Sequence, residues 1–154
     1  MNGIEKAVKA YLDSQNWHYK HDEEERCFTL GMKLENDDVD SCQISLTARD
    51  EEDLSCKFTY EFKVPEKHRD IIAEYITRVN YGMFIGGYQM DLRDGEIFYK
   101  TAGVFSDGEP VNDEIRRLVQ VGIRMAEKYG QGFYDVMYKG KSPAQAVADI
   151  EAND

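Results

Sequence analysis

Histidine and cysteine are the residue types of this chain best suited to metal binding or nucleophilic chemistry, and each occurs three times. His18 and His21 stand three residues apart, and acidic residues fill positions 22–25. Zinc requires three or four ligands in a fixed geometry, which a solvated acidic loop does not by itself provide. We therefore predict a solvent-exposed acidic loop. The alternative is a metal- or small-molecule-responsive regulator that uses His18 and His21.

The three cysteines lie on three successive predicted strands, and an odd number without C-x-x-C spacing makes a poor disulfide framework. Strand alternation places Cys42 and Cys56 on the face that is predicted to be buried, and Cys27 on the opposite face. We predict that Cys42 and Cys56 act as small buried hydrophobic residues rather than as metal ligands or redox groups.

The remaining motifs do not indicate an enzyme. Nucleophilic catalysis needs a base beside the nucleophile, and the third histidine, His68, lies early in a polar helix turn. The glycines at 82–87 match neither G-x-G-x-x-G nor a P-loop, and glycine inside a strand is more typical of a bulge. We predict no catalytic residue, no cofactor and no metal ligand.

The charge of the chain restricts its partners. Asp and Glu number 30 against 19 Lys and Arg, which gives a formal net charge of -11. Such a chain repels phosphate backbones and anionic membrane surfaces, so we predict binding to neither nucleic acid nor membrane. A basic or apolar protein partner suits it. The first residues have no uninterrupted apolar core and no apolar run is long enough to span a membrane, so we expect a cytoplasmic protein.

Apolar spacing predicts the first half of the fold. Residues 4–12 carry apolar side chains at helical spacing, and residues 13–25 are polar and are predicted to form a loop. Three segments then alternate with a period of two, which is typical of an antiparallel sheet with one solvated face. These predicted strands are 27–34, 42–48 and 54–63.

The second half is predicted to be a helix, a hairpin and further helices. An apolar stripe predicts a helix at 66–80, and Asp94-Gly95 is a strong signal for a two-residue hairpin turn. That turn would join strands at about 83–92 and 97–105, pairing Met90 with Tyr99 and Phe84 with Phe105. After the loop at 106–113, helical spacing resumes, with an interruption expected at the G-Q-G of 130–132 and a last helix at 143–151.

These elements predict one α+β domain over residues 1–154, in the order α-β-β-β-α-β-β-α(α), with a five-stranded antiparallel sheet covered by helices on one face. One face of the last hairpin is apolar and predicted to lie in the core. The opposite face is mixed, and it is either covered by a helix or used for association. If it is uncovered, it predicts a homodimer or a groove for a partner peptide. The candidate binding residues are Tyr81, Met83, Ile85, Phe98 and Val104.

The stretch VPEKHRDIIAEYITRVNYGMFIGGYQMDLRDGEIFYK, residues 64–100, resembles the YbjN family of bacterial proteins. The resemblance consists of a V-P strand end, a helix with an asparagine near its close, a short glycine-containing strand, and D-G before an aromatic residue. The closing segment YKGKSPAQAVADIE also looks like the family's G-x-S-P-x-x-A pattern, so the likeness covers about 27–151.

This resemblance implies a fold like that of type III secretion chaperones. It also implies a non-enzymatic protein with a chaperone-like, adaptor or regulatory role that binds a protein or peptide segment, often as a dimer. It carries no catalytic residue over to this chain.

Overall fold

A computed structural model describes residues 1–105, 110 and 112–154. In these residues the helices and strands follow the apolar spacing of the sequence. Four helices and six strands lie in these ranges. The helices are α1 (Gly3–Ser14), α2 (Arg69–Tyr81), α3 (Asn112–Tyr138) and α4 (Pro143–Glu151). The strands are β1 (Lys20–Asp22), β2 (Cys27–Lys33), β3 (Ser41–Thr47), β4 (Asp53–Lys63), β5 (Gly87–Met90) and β6 (Glu96–Val104). The predicted loop at 106–113 lies partly outside the described residues.

The strands form one antiparallel sheet in the order β1-β2-β3-β4-β6-β5. The helices pack on one face, where their apolar side chains join those of the strands in a single core. One row of buried side chains crosses five strands: Leu30, Ile44, Phe58, Tyr99 and Tyr88. The predicted α+β class is therefore confirmed.

The predicted count of five strands is wrong, because the sheet has a sixth strand in the segment 13–25 that was predicted to be a loop. β1 spans three residues and pairs with β2, with Lys20 opposite Thr29. A three-residue polar strand is too short to produce a periodic pattern. Its place in the sheet depends on the neighbouring strand rather than on its own sequence.

The last hairpin is confirmed, but its register differs from the prediction by two residues. Met90 lies opposite Ile97 rather than Tyr99. The Asp91 N–H donates to the Glu96 carbonyl, so residues 92–95 form a four-residue loop. Gly95 has a φ of +83°, and a Cβ there would lie 2.1 Å from the carbonyl oxygen of Val64. Because a shift of two preserves the alternation of a strand, the strand residues keep their predicted faces.

The predicted break at the G-Q-G of 130–132 is also wrong, since α3 continues through it as one helix of 27 residues. Glycine is required here by packing. A Cβ on Gly132 would lie 2.0 Å from the Tyr75 hydroxyl, and a Cβ on Gly122 would lie 2.0 Å from the Phe58 ring. The glycines therefore let two aromatic side chains reach the helix backbone.

Helices α2 and α4 form where the sequence predicted them. A single 3-10 turn, Glu66–His68, precedes α2. The Ser142 hydroxyl accepts a hydrogen bond from the Gln145 N–H at 3.1 Å and caps α4, with Pro143 in the first turn. α4 packs against both α2 and α3.

Candidate protein-binding surface

Tyr81, the last residue of α2, and the loop that follows it, residues 82–86, present apolar side chains to solvent. Tyr81 is 95% exposed and Phe84 is 99% exposed. The sequence placed Phe84 opposite Phe105 on the core face, but β5 begins only at Gly87, so Phe84 lies outside the sheet. These two exposed aromatic side chains, three residues apart at the end of α2 and on the loop, make this surface a candidate contact site.

Contacts at both ends fix the path of this loop. At its start, the Asn80 side-chain amide makes two hydrogen bonds to the backbone of Tyr88, both of 2.9 Å. At its end, the Tyr99 hydroxyl donates to the carbonyl of Ile85. Gly86 follows with a φ of +69°, and a Cβ there would lie 2.5 Å from the Lys100 carbonyl. The exposed side chains therefore project from an anchored backbone.

A shallow apolar groove lies beside this loop, between the end of β6 and the first half of α3. Its volume is about 240 Å³. We call it the apolar groove, and its lining consists of Ile85, Gly103, Val104, Phe105, Glu114, Arg117, Leu118 and Val121. Val104 is 76% exposed. A Cβ on Gly103 would lie 2.7 Å from the Phe105 ring, so glycine permits the ring to fold over the strand.

The position of α3, and hence of one wall of the groove, is fixed by buried hydroxyl groups. The Thr101 hydroxyl donates to the Leu118 carbonyl at 3.3 Å. Further along the helix, buried tyrosines reach its backbone, with Tyr60 bonded to Ala126 O at 2.7 Å and Tyr75 to Tyr129 O at 2.8 Å. Burial raises the pKa of the Tyr60 hydroxyl well above its usual value, so it stays a neutral donor.

The structure brings together some of the candidate binding residues that the sequence indicated. Ile85 and Val104 line the same groove. Met83 lies on the loop beside it, and Tyr81 is the last residue of α2, just before that loop. Phe98 does not join them, because it precedes Val104 by six residues on β6, roughly 20 Å along an extended strand. It faces the solvated side of the sheet, where the Lys57 ammonium lies 4.1 Å from its ring centroid.

Sequence reasoning missed several residues of the surface. Phe84 and Phe105 were both predicted to lie in the core, whereas Leu118 belonged to a predicted helical stripe without a distinctive signal. Their role depends on where α3 crosses the end of β6, which no local pattern specifies.

The two histidines proposed for a metal site do not point to one place. His18 lines a trough on the solvated face of the sheet. His21 instead faces the core side, where it stacks on Phe28 at 4.1 Å and lies 3.1 Å from the buried carboxylate of Glu5. No group of three or more His, Cys, Asp or Glu suited to a metal ion occurs in the described part of the chain.

Glu5 is the buried acid that contacts His21. Burial raises the pKa of its carboxyl, but the hydrogen bond from the Asn2 N–H and the contact with His21 outweigh it and hold the pKa below its usual value. The arrangement ties α1 to β1. It therefore serves the structure of the first helix.

The cysteines have the burial that strand alternation predicted. Cys42 and Cys56 are fully buried, and burial raises the pKa of each thiol to about 12. Cys27 is partly exposed, and the Thr47 hydroxyl donates to its sulfur at 3.3 Å. The three thiols are free in the structure, and the two buried ones are protonated at neutral pH.

The helices within residues 1–105, 110 and 112–154 are all too short or too polar to cross a membrane.

The chain matches known proteins in sequence and in fold. The profile of the YbjN family, described as "Putative bacterial sensory transduction regulator", matches residues 6–135. No curated protein matches the chain. Among solved structures, "Crystal structure of YbjN, a putative transcription regulator from E. coli" is similar, with a TM-score of 0.57 and 10% sequence identity. That similarity covers 78% of this chain and 83% of the other, and at this identity it concerns the fold. The fold type that this comparison supports is that of a YbjN protein, which differs from the type III secretion chaperone type that the resemblance implied.

Proposed function

We propose that this chain, which belongs to the YbjN family, is a non-enzymatic regulatory protein. In this proposal it binds a segment of another protein in the apolar groove. The family and the protein of similar fold are both described as regulators. The observation that carries the proposal is the exposure of Phe84 and Val104 beside a groove that the described helices leave open.

The energetic argument starts from the exposed apolar surface. Burying apolar surface yields about 25 cal/mol per Å², so a partner that covers Phe84 and Val104 gains a hydrophobic contribution that the free protein lacks. The loop that carries Phe84 is already anchored through Asn80 and Tyr99. A partner therefore loses little free energy in ordering it.

The size and charge of the surface indicate the chemistry of the segment. A groove of about 240 Å³ accommodates one or two apolar side chains rather than a folded domain. The chain carries a net charge of -11, which attracts Lys and Arg and repels acidic sequences. We expect a short segment with one or two apolar anchors and basic flanking residues.

The proposal extends to the cellular role, the oligomeric state and the location of the protein. A chaperone-like role, in which the groove shields an apolar segment of a client protein, would use the same surface. So would a homodimer, in which a second copy covers Phe84. We propose a cytoplasmic location, which suits the regulatory role by which the family is described.

Selection from a displayed library of random peptides tests the proposal. We expect enrichment of sequences with Leu, Ile or Phe anchors next to Lys or Arg. The same selection is run on Val104→Glu, which places a carboxylate in the groove, and on the control Leu92→Glu. Leu92 is an apolar residue 64% exposed on the hairpin loop, outside the groove. Enrichment that survives Val104→Glu, or no enrichment on the unmodified protein, would overturn the proposal.

A further inference from the structure

The solvated face of the sheet, which we call the outer face, has an unusual charge distribution. Thirty of the 154 residues are acidic, yet three consecutive rows across β2, β3, β4 and β6 contain no carboxylate. These rows are formed by Cys27, Thr29, Gly31, Gln43, Ser45, Thr47, Ser55, Lys57, Thr59, Phe98, Lys100 and Ala102. A positively charged, hydroxyl-rich area therefore lies within a strongly acidic protein.

Two lysines stand at the centre of this area. Lys57 on β4 and Lys100 on β6 lie directly opposite each other, and like charges at opposed positions of an antiparallel pair are destabilising. No ion pair joins either ammonium to a carboxylate among the described residues, whereas other lysines, such as Lys63 with Asp94 at 2.9 Å, are paired. The opposed lysines thus lack the counter-charge that would relieve their repulsion.

The surroundings of the lysine pair supply hydrogen-bonding groups. The same row continues through Ser45 and Thr29 to a third lysine, Lys20. A separate trough of about 700 Å³ lies on the same face; its lining includes Lys20, Thr29 and the carboxylate of Glu61, and it does not include Lys57 or Lys100. Beside the pair, the Phe98 ring lies under the Lys57 ammonium and offers a flat apolar surface.

We propose that Lys57 and Lys100 bind a small dianion, which carries a phosphate group or two carboxylates. Adjacent strands lie about 4.8 Å apart, so one doubly charged group can contact both ammonium groups and offset their repulsion. The hydroxyl groups of Ser45, opposite Lys57, and of Thr59, two residues along β4, lie beside the pair and can contact the polar body of the ligand. The assignment uses no residue of the apolar groove and does not depend on the proposed function.

A small anion fits this area better than a polyanion does. Acidic residues border it at Asp22, Glu61 and Glu96, so a nucleic acid that ran beyond the lysine pair would meet carboxylates. The net charge of -11 adds long-range repulsion that grows with the charge of the ligand. We therefore assign the site to small molecules.

Titration of the full chain by two-dimensional NMR, at constant ionic strength, tests this assignment. The probes are inorganic phosphate and succinate, with chloride as the reference salt. Saturable shifts are expected for the amides around Lys57 and Lys100. Single substitutions Lys57→Gln and Lys100→Gln should each weaken binding about fivefold. The control Lys67→Gln, an exposed lysine before α2, should leave the affinity unchanged.

Each outcome decides the question. Saturation by phosphate alone assigns a phosphate group, and saturation by succinate alone assigns a dicarboxylate. Absence of saturation with both probes, equal affinity of the Lys57→Gln protein, or tighter binding of a ten-nucleotide single-stranded DNA than of phosphate would overturn the proposal. Thermal unfolding of each variant verifies that it is folded, and a substitution of a solvated lysine is expected to leave the midpoint nearly unchanged.

Discussion

The side-chain amide of Asn80 makes both backbone hydrogen bonds of Tyr88 that an additional strand would otherwise make. Its nitrogen donates to the Tyr88 carbonyl and its oxygen accepts from the Tyr88 N–H, each at 2.9 Å. Tyr88 lies on β5, one of the two edge strands of the sheet. Asn80 thus closes this edge at Tyr88, ties the end of α2 to β5 and fixes the start of the exposed loop. This contact gives a physical reason for the asparagine near the close of the helix.

Replacement of Asn80 should destabilise the protein. Asn80→Ala leaves a donor and an acceptor of Tyr88 without a partner, and we expect a loss of about 1–3 kcal/mol in the free energy of unfolding. Asn80→Asp keeps the acceptor but sets a carboxylate against the Tyr88 carbonyl, so it should cost at least as much. Urea denaturation measures both, with the exposed neighbour Gln89→Ala as the control. A loss for Asn80→Ala no larger than that of the control would contradict this role.

Gly132 should not tolerate a side chain. Alanine is favoured over glycine by about 1 kcal/mol inside a helix, so an unconstrained site would be stabilised by Gly132→Ala. Here the new Cβ would meet the Tyr75 hydroxyl at 2.0 Å, and overpacking costs about 1–3 kcal/mol. We expect a net loss of stability in thermal unfolding. Gly31→Ala on β2 is a control for adding a methyl group without a clash, since a Cβ there has no neighbour within 4 Å. An increase in midpoint for Gly132→Ala would show that the helix can move away.

The three thiols should differ in their rate of reaction with a disulfide reagent. Cys42 and Cys56 are buried, with the pKa of each raised to about 12, so they should react with a disulfide reagent only on unfolding. Cys27 is partly exposed and should account for a single thiol titrated in the native protein, against three in denaturant. Cys27→Ser should abolish the native reaction. More than one fast thiol would show that the sheet opens.

Stability should fall in acid through Glu5. The folded-state pKa of its carboxyl is lowered from an ordinary value of 4.5. Its contribution is therefore fully present above pH 4.5 and is lost as the pH falls through the lowered folded pKa. Glu5→Gln should be less stable than the unmodified protein at pH 7, and the difference should narrow below pH 4.5. A pH-independent difference would assign the effect to packing alone; the exposed Glu23→Gln serves as control.

Much of the fold is predictable because burial imposes its own period on a strand or helix. Alternation places Ile44 and Phe58 in the core correctly, and it places Val104 on the solvated face even though the hairpin register is shifted by two. The register itself depends on Gly95 packing against the Val64 carbonyl, a contact between residues distant in sequence. No local turn signal contains that information.

The candidate site is predictable only in part for the same reason. Strand alternation predicts that Ile85 and Val104 face away from the core. The groove that they line exists because α3 lies against the end of β6. That placement depends on Gly122 and Gly132, which the structure shows to be points of close approach. For Gly132 the sequence predicts an interruption of the helix instead. Strand alternation correctly places Phe98 on the same face of β6 as Val104. It does not show how far along the strand a residue lies, and Phe98 is too far from the groove to line it.

The affinity of one selected peptide for two matched variants tests the central claim most directly. An unpaired carboxylate buried in the groove should cost about 2 kcal/mol or more, so we expect the peptide to bind Val104→Glu at least thirtyfold more weakly than the unmodified protein. Leu92→Glu, which adds the same charge outside the groove, should bind within about twofold of it. Equal affinity of the two variants, measured by fluorescence anisotropy, would contradict binding in the apolar groove.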